Sequence, residues 1–83
     1  MENPVTVLIN SYKESEETFI KTLESVKRAN PGQIIISTVN GDNCLQWIKE
    51  DEADIVVNEK AGIYEQINNA LKYVNQSYFT YFS

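Results

Sequence analysis

The stretch VTVLINSYKESEETFIKTLESVKRANPGQIIIST, residues 5–38, decides the fold. It opens on VTVLIN (Val5 to Asn10), a nearly continuous β-branched run of the kind found in strands covered on both faces. A polar, acidic segment follows. Ser11 with Glu14 three residues later fits a capping box, and Ser15 is a second N-cap candidate. Glu14, Glu16 and Glu17 fall where a helix N-terminus favours negative charge. Phe19, Ile20, Leu23 and Val26 then recur at helical spacing, with Lys27 and Arg28 in the last turn. Pro31 cannot continue the helix and Gly32 turns the chain. QIIIST (Gln33 to Thr38) is a second strand of the buried type. A strand, a helix and a second strand in this spacing make a parallel β-α-β crossover.

The remainder extends this unit. VNGDN is turn chemistry. Leu45, Trp47 and Ile48 predict a short helix, ended by the charged run KEDEAD, which reads as a solvated face. DIVVN (Asp54 to Asn58) is a third strand and EKAG a loop. Tyr64, Ile67, Leu71 and Val74 predict a third helix with these four residues turned inward. QSYFTYFS is a fourth strand. It is apolar or aromatic on both faces, so cover is expected above and below, with its Tyr and Phe residues in the core. The order β-α-β-α-β-α-β defines an α/β fold: a Rossmann-like, three-layer unit with a four-stranded parallel sheet and helices on both faces.

Composition limits what such a unit can do. At 83 residues it is a single domain with a modest core. A net charge of -5, with no basic stripe, argues against nucleic acid as a partner. The absence of His removes imidazole as a base or metal ligand. Cys44, the lone cysteine, cannot form an intrachain disulfide and reads as a small buried thiol. No apolar run is long enough to span a membrane and no signal peptide is recognisable, so the expected location is cytoplasmic.

Ligands of open parallel sheets bind beyond the carboxyl ends of the strands. The turn NSYKE places Tyr12 where it can stack on a base or simply cover the sheet edge. Asp42, in STVNGDN, can orient a ribose or base, or cap the next helix. Gly62 opens the third helix and permits close approach of a phosphate, as well as an ordinary helix start. The adjacent Asn68 and Asn69 are poor helix formers, so one of them is expected to reach a loop or a ligand. Neither a dinucleotide fingerprint nor a P-loop is present. No two carboxylates are forced together at a strand end, so no acid/base pair is assigned.

Two stretches carry a family likeness. VTVLINSYKESEETFIKTLESVKR resembles the opening of family 2 glycosyltransferases, where a strand ends in a Pro-Thr/Ser-Tyr-Asn-Glu turn. AGIYEQINNALKYVNQSYFTYFS is similar to the G-I-Y-D-A-M-N-K-G-I stretch and following strand of one branch; Gly62, Ile63, Tyr64 and Asn68 are identical to it and Glu65 replaces Asp. The resemblance implies a GT-A fold with strand order 3-2-1-4. It implies a donor that is a nucleotide-sugar, UDP- or dTDP-linked, and transfer to a glycan or lipid-carrier hydroxyl. Ser11, Tyr12 and Glu14 would then surround base and ribose, with Gly62 and Asn68 supporting the pocket. Asn10 stands where the family has Pro. Thr38 or Val39 stands where the base-reading Asp falls, and Asp42 follows a few residues late. The Mn2+ or Mg2+ of the full-length family is held by an acidic motif that would follow YFTYFS, so no cofactor is expected within this chain.

The expectation is therefore the donor-binding half of a longer transferase, cut short or free-standing, and inactive at this length. A non-catalytic module for weak nucleotide binding or assembly is the alternative. A receiver-like regulator lacks its paired acidic residues after strand one. A fourth strand at the free edge of the sheet would expose backbone and aromatic faces, so a homo-oligomer through that edge is also expected.

Overall fold

The computed structural model describes residues 3–49 and 51–82; Met1, Glu2, Ser83 and Glu50 of the charged run lie outside the described residues. The elements are β1 (Val5–Asn10), α1 (Glu16–Arg28), β2 (Gln33–Val39), a 3-10 turn (Asn43–Gln46), β3 (Asp54–Asn58), α2 (Ile63–Leu71) and β4 (Tyr78–Phe82). All neighbouring strands are parallel, in the order β3-β2-β1-β4. This is the Rossmann-like α/β unit and the strand order expected.

Alternation along the central strands divides the core between the two faces of the sheet. Val7, Ile9 and Ile36 meet Phe19, Leu23 and Val26 of α1, with Cys44 from the 3-10 turn. Burying each large apolar side chain of α1 contributes about 1.5–3 kcal/mol. Trp47 closes this layer, its ring centroid 5.8 Å from that of Phe19. Leu8 and Ile35 point to the other face and meet Ala70 of α2, with Leu71 and Val74 beside it. That face is fixed at its lower end by the buried Gln33. Its amide accepts from the Thr6 hydroxyl at 2.7 Å and from Asn75 N–H at 2.9 Å, and donates to Asp54 and to the Tyr73 carbonyl.

Five expectations need correction. Ser15, not Ser11, caps α1: its Oγ accepts the Thr18 N–H at 3.2 Å. Ser11 lies too far upstream, since α1 begins only at Glu16 and the Ser11 N–H still extends the sheet ladder to the Ser37 carbonyl at 2.8 Å. The second helix is only a four-residue 3-10 turn. Asp42 caps it, and no apolar repeat beyond Ile48 sustains a longer helix. The charged run after it is not wholly solvated, since Glu52 accepts from Lys27 Nζ at 3.0 Å and from Lys49 N–H at 3.1 Å.

The third helix is rotated relative to the expected face. Gln66 and Ala70 are its buried residues, whereas Tyr64 is 82% exposed. Two residues carry the chain about 200° round a helix, so burying Gln66 turns Tyr64 outward. Finally, β4 is exposed along its whole length and is not core. It holds one edge of the sheet.

Candidate functional site at the carboxyl ends of the strands

The exits of β1, β2 and β3 surround an open cavity of about 520 Å³. Tyr12, Lys13 and Glu14 line it from the β1–α1 loop; Asn40, Asp42 and Asn43 line it from the exit of β2. Glu59 and Ala61, after β3, close the far side.

The cavity is shaped by one carboxylate. Asp42 Oδ1 accepts the Cys44 N–H and Oδ2 accepts the Lys13 N–H, both at 2.9 Å. Lys13 takes a left-handed backbone conformation (φ 57°) to present that N–H. Burial alone would raise the Asp42 pKa, but the two amide hydrogen bonds outweigh it and hold the carboxyl below its usual range. Lys13 Nζ lies 5.2 Å from the centroid of the Tyr12 ring, within cation–π range. Tyr12 is 43% exposed, leaving ring surface available to the cavity.

Tyr12, Glu14 and Asp42 are thus brought together, and the other four candidates lie elsewhere. Ser11 and Thr38 are buried and do not line the cavity. Thr38 Oγ1 accepts the Cys44 thiol at 3.3 Å, whereas Ser11 Oγ has no hydrogen-bond partner. Burial pushes the Cys44 thiol up, against the opposing effect of its hydrogen bond to the Thr38 hydroxyl, so the residue is no activated nucleophile. Gly62 precedes α2, but its N–H already donates to Gln66 Oε1 at 3.1 Å. Asn68 is exposed on α2 and outside the cavity lining. Its neighbour Asn69 reaches back, donating to Asn58 Oδ1 at 2.6 Å.

A second feature, a buried amide network on the α2 side of the strand ends, was missed from sequence. Gln66 Nε2 donates to Asn10 Oδ1 at 2.8 Å and to the carbonyls of Ser11 and Ser37 at 3.3 Å. Asn58 Nδ2 donates to Ser37 Oγ at 3.0 Å and to the Thr38 carbonyl at 2.7 Å. Ser37 Oγ in turn donates to the Gln66 carbonyl at 2.8 Å. These bonds fix the spacing of three strand ends beneath the cavity. The signal was there: VTVLIN and DIVVN both end on Asn. Lys13 and Asn43 of the cavity were also passed over.

Among the described residues no three of His, Cys, Asp or Glu converge to hold a metal ion. Among them, too, no helix is long and apolar enough to cross a membrane. No family model matches the chain, and comparison with curated proteins and with solved structures gives no match.

Proposed function

We propose that this chain is a nucleotide-binding β/α unit of the family 2 glycosyltransferase type, taking the nucleotide of a UDP- or dTDP-linked sugar donor in the cytoplasm. One observation carries the proposal: Tyr12, Glu14 and Asp42 converge on a single cavity at the carboxyl ends of the strands. Tyr12 offers a face for base stacking, worth about 1–3 kcal/mol in nucleotide sites. Lys13 is the one cationic side chain among the lining residues and suits a phosphate. Asn40 and Asn43 supply amides for ribose or base edges. Asp42, with both oxygens already engaged by backbone, acts chiefly by holding the two loops. The proposal is one of binding; transfer to a glycan or lipid-carrier hydroxyl belongs to a longer chain.

Calorimetry with uridine diphosphate, with and without Mn2+, tests it. Binding is expected without a requirement for metal, and Tyr12→Ala is expected to weaken it about tenfold. Absence of heat with both uridine and deoxythymidine diphosphates would overturn the proposal. A second reading, an assembly module that keeps the scaffold alone, is favoured by the exposed aromatic strand β4.

A further inference from the structure

The free edge of β4 has a geometry suited to a copy of itself. Tyr78 N–H donates to the Pro4 carbonyl at 3.0 Å, so Tyr78 turns its backbone groups toward β1. Backbone direction alternates along a strand. Thr80 and Phe82 therefore also bond to β1, in the register Thr80 to Val7 and Phe82 to Ile9. Phe79 and Tyr81 direct their N–H and C=O groups outward, where no strand of the described residues pairs with them.

We infer that two copies of this chain pair antiparallel through β4 about a two-fold axis at Thr80, joining their sheets into one of eight strands. The outward residues flank Thr80 symmetrically. Phe79 then faces Tyr81 of the partner subunit as a hydrogen-bonded pair, and the reverse pair repeats it, giving four backbone bonds. Thr80 meets Thr80 of the partner subunit in the intervening non-bonded position, where side chains approach most closely. Such an interface is isologous and closes on itself, with no open edge of β4 left to recruit a third copy.

Charge and composition support the same occupant. The molecule carries a net charge of -5, yet no side chain from Tyr73 to Ser83 is charged. This is the segment where two like-charged copies approach at least cost. Natural edge strands are usually guarded by Lys, Pro or a bulge; β4 carries neither residue and pairs with β1 in unbroken register. Its four aromatic side chains, Tyr78, Phe79, Tyr81 and Phe82, are 49–66% exposed. At about 200 Å² per aromatic side chain, their exposed area is on the order of 900 Å² over both copies, of which edge-to-edge pairing covers only a part. That lies below the standard range for stable complexes and sets a weak, reversible dimer. An apolar groove of about 310 Å³ between α1 and β4, lined by Val5, Val7, Val26 and Phe82, adjoins the joint.

The inference is independent of nucleotide binding. Sedimentation equilibrium of the full chain tests it, and a monomer–dimer equilibrium populated at ~0.1 mM is expected. Tyr81→Pro removes an outward N–H while sparing the ladder to β1, a placement that edge strands tolerate. It should raise the dimer dissociation constant at least about tenfold. Thr80→Lys, which sets two like charges at the axis, should do the same, and Val57→Lys on the opposite edge should not. Amide exchange should slow at Phe79 and Tyr81 as protein concentration rises. A chain that stays monomeric at ~0.1 mM overturns the inference. So does a dimer that survives both β4 variants, or one that Val57→Lys abolishes.

Discussion

Asp42 and Lys13, twenty-nine residues apart, are joined by a 2.9 Å hydrogen bond from the Lys13 N–H to the Asp42 carboxylate. The same carboxylate caps the turn that follows β2. One side chain therefore ties two of the cavity's three sides together, and its loss should be felt in stability and in binding together. Asp42→Ala should cost about 1–2 kcal/mol, the scale of a lost cap, and should weaken nucleotide binding through loop disorder. Acid should reproduce part of this. The carboxyls of Asp42 and Glu52 are both held below their ordinary pKa in the folded state. Their contribution is thus complete above the unfolded values, near pH ~4, and fades as pH falls through the folded values. Urea unfolding of the wild type should weaken below pH ~4, and the gap between wild type and Asp42→Ala should narrow there. A gap that widens in acid would show that the Asp42 carboxylate is not stabilising.

Gln66 is the hinge of the amide network, and its chemistry predicts opposite responses from two isosteric or smaller replacements. Gln66→Ala removes a buried donor from Asn10 and from two carbonyls, and a buried acceptor from Gly62. Unsatisfied groups and a cavity together should cost about 2–4 kcal/mol. Gln66→Glu keeps the shape but aims a carboxylate at the three acceptors. Burial and that arrangement raise the folded pKa of the new carboxyl above its unfolded value. Its protonated form can donate, so this variant should gain stability relative to the wild type as pH falls from ~8 to ~5. Denaturation at both pH values measures this; a variant insensitive to pH would mean that the side chain has swung out of the network.

The two central strands were legible because parallel strands buried on both faces leave nearly unbroken β-branched runs, as in VTVLIN and QIIIST. β1 and β3 fall on the expected residues, and β2 runs one residue further, to Val39. The position of α2 over the sheet was less legible. Ile67, Leu71 and Val74 gave the right side of the helix, but Gln66 lies at its centre, and a polar residue does not register in an apolar period. Tyr64 was drawn into the wrong face for that reason. The cavity was legible in Tyr12, Glu14 and Asp42, since turn residues at strand ends have few places to go. Thr38 and Ser11 were not legible as buried, because a hydroxyl in a strand is equally at home facing a ligand or a neighbouring thiol. The exposure of β4 is set by its place at the edge of the sheet, and a strand's own aromatic content does not report that place.

Two glycines should separate by mechanism under the same substitution. Gly32 donates its N–H to the Val5 carbonyl at 2.9 Å, at the point where the chain re-enters the sheet. A Cβ there would run into the Asn3 carbonyl and lie 2.8 Å from the Gln76 side chain. The Gln76 amide can move aside, but the Asn3 backbone precedes Pro4, whose carbonyl holds Tyr78 of β4. Gly32→Ala should therefore cost about 2–3 kcal/mol by overpacking and loosen the docking of β4. Gly41 has open space around its Cβ position but sits at φ +82°, so only backbone strain opposes a side chain. Gly41→Ala should cost about 1 kcal/mol, and Gly41→Asn less, since Asn tolerates the left-handed region better. Urea unfolding gives the stabilities, and amide exchange at Tyr78 separates the two causes: faster exchange is expected in Gly32→Ala and none beyond the global loss in Gly41→Ala. Equal behaviour at both positions would rule out the close approach of Asn3 as the source of the Gly32 requirement.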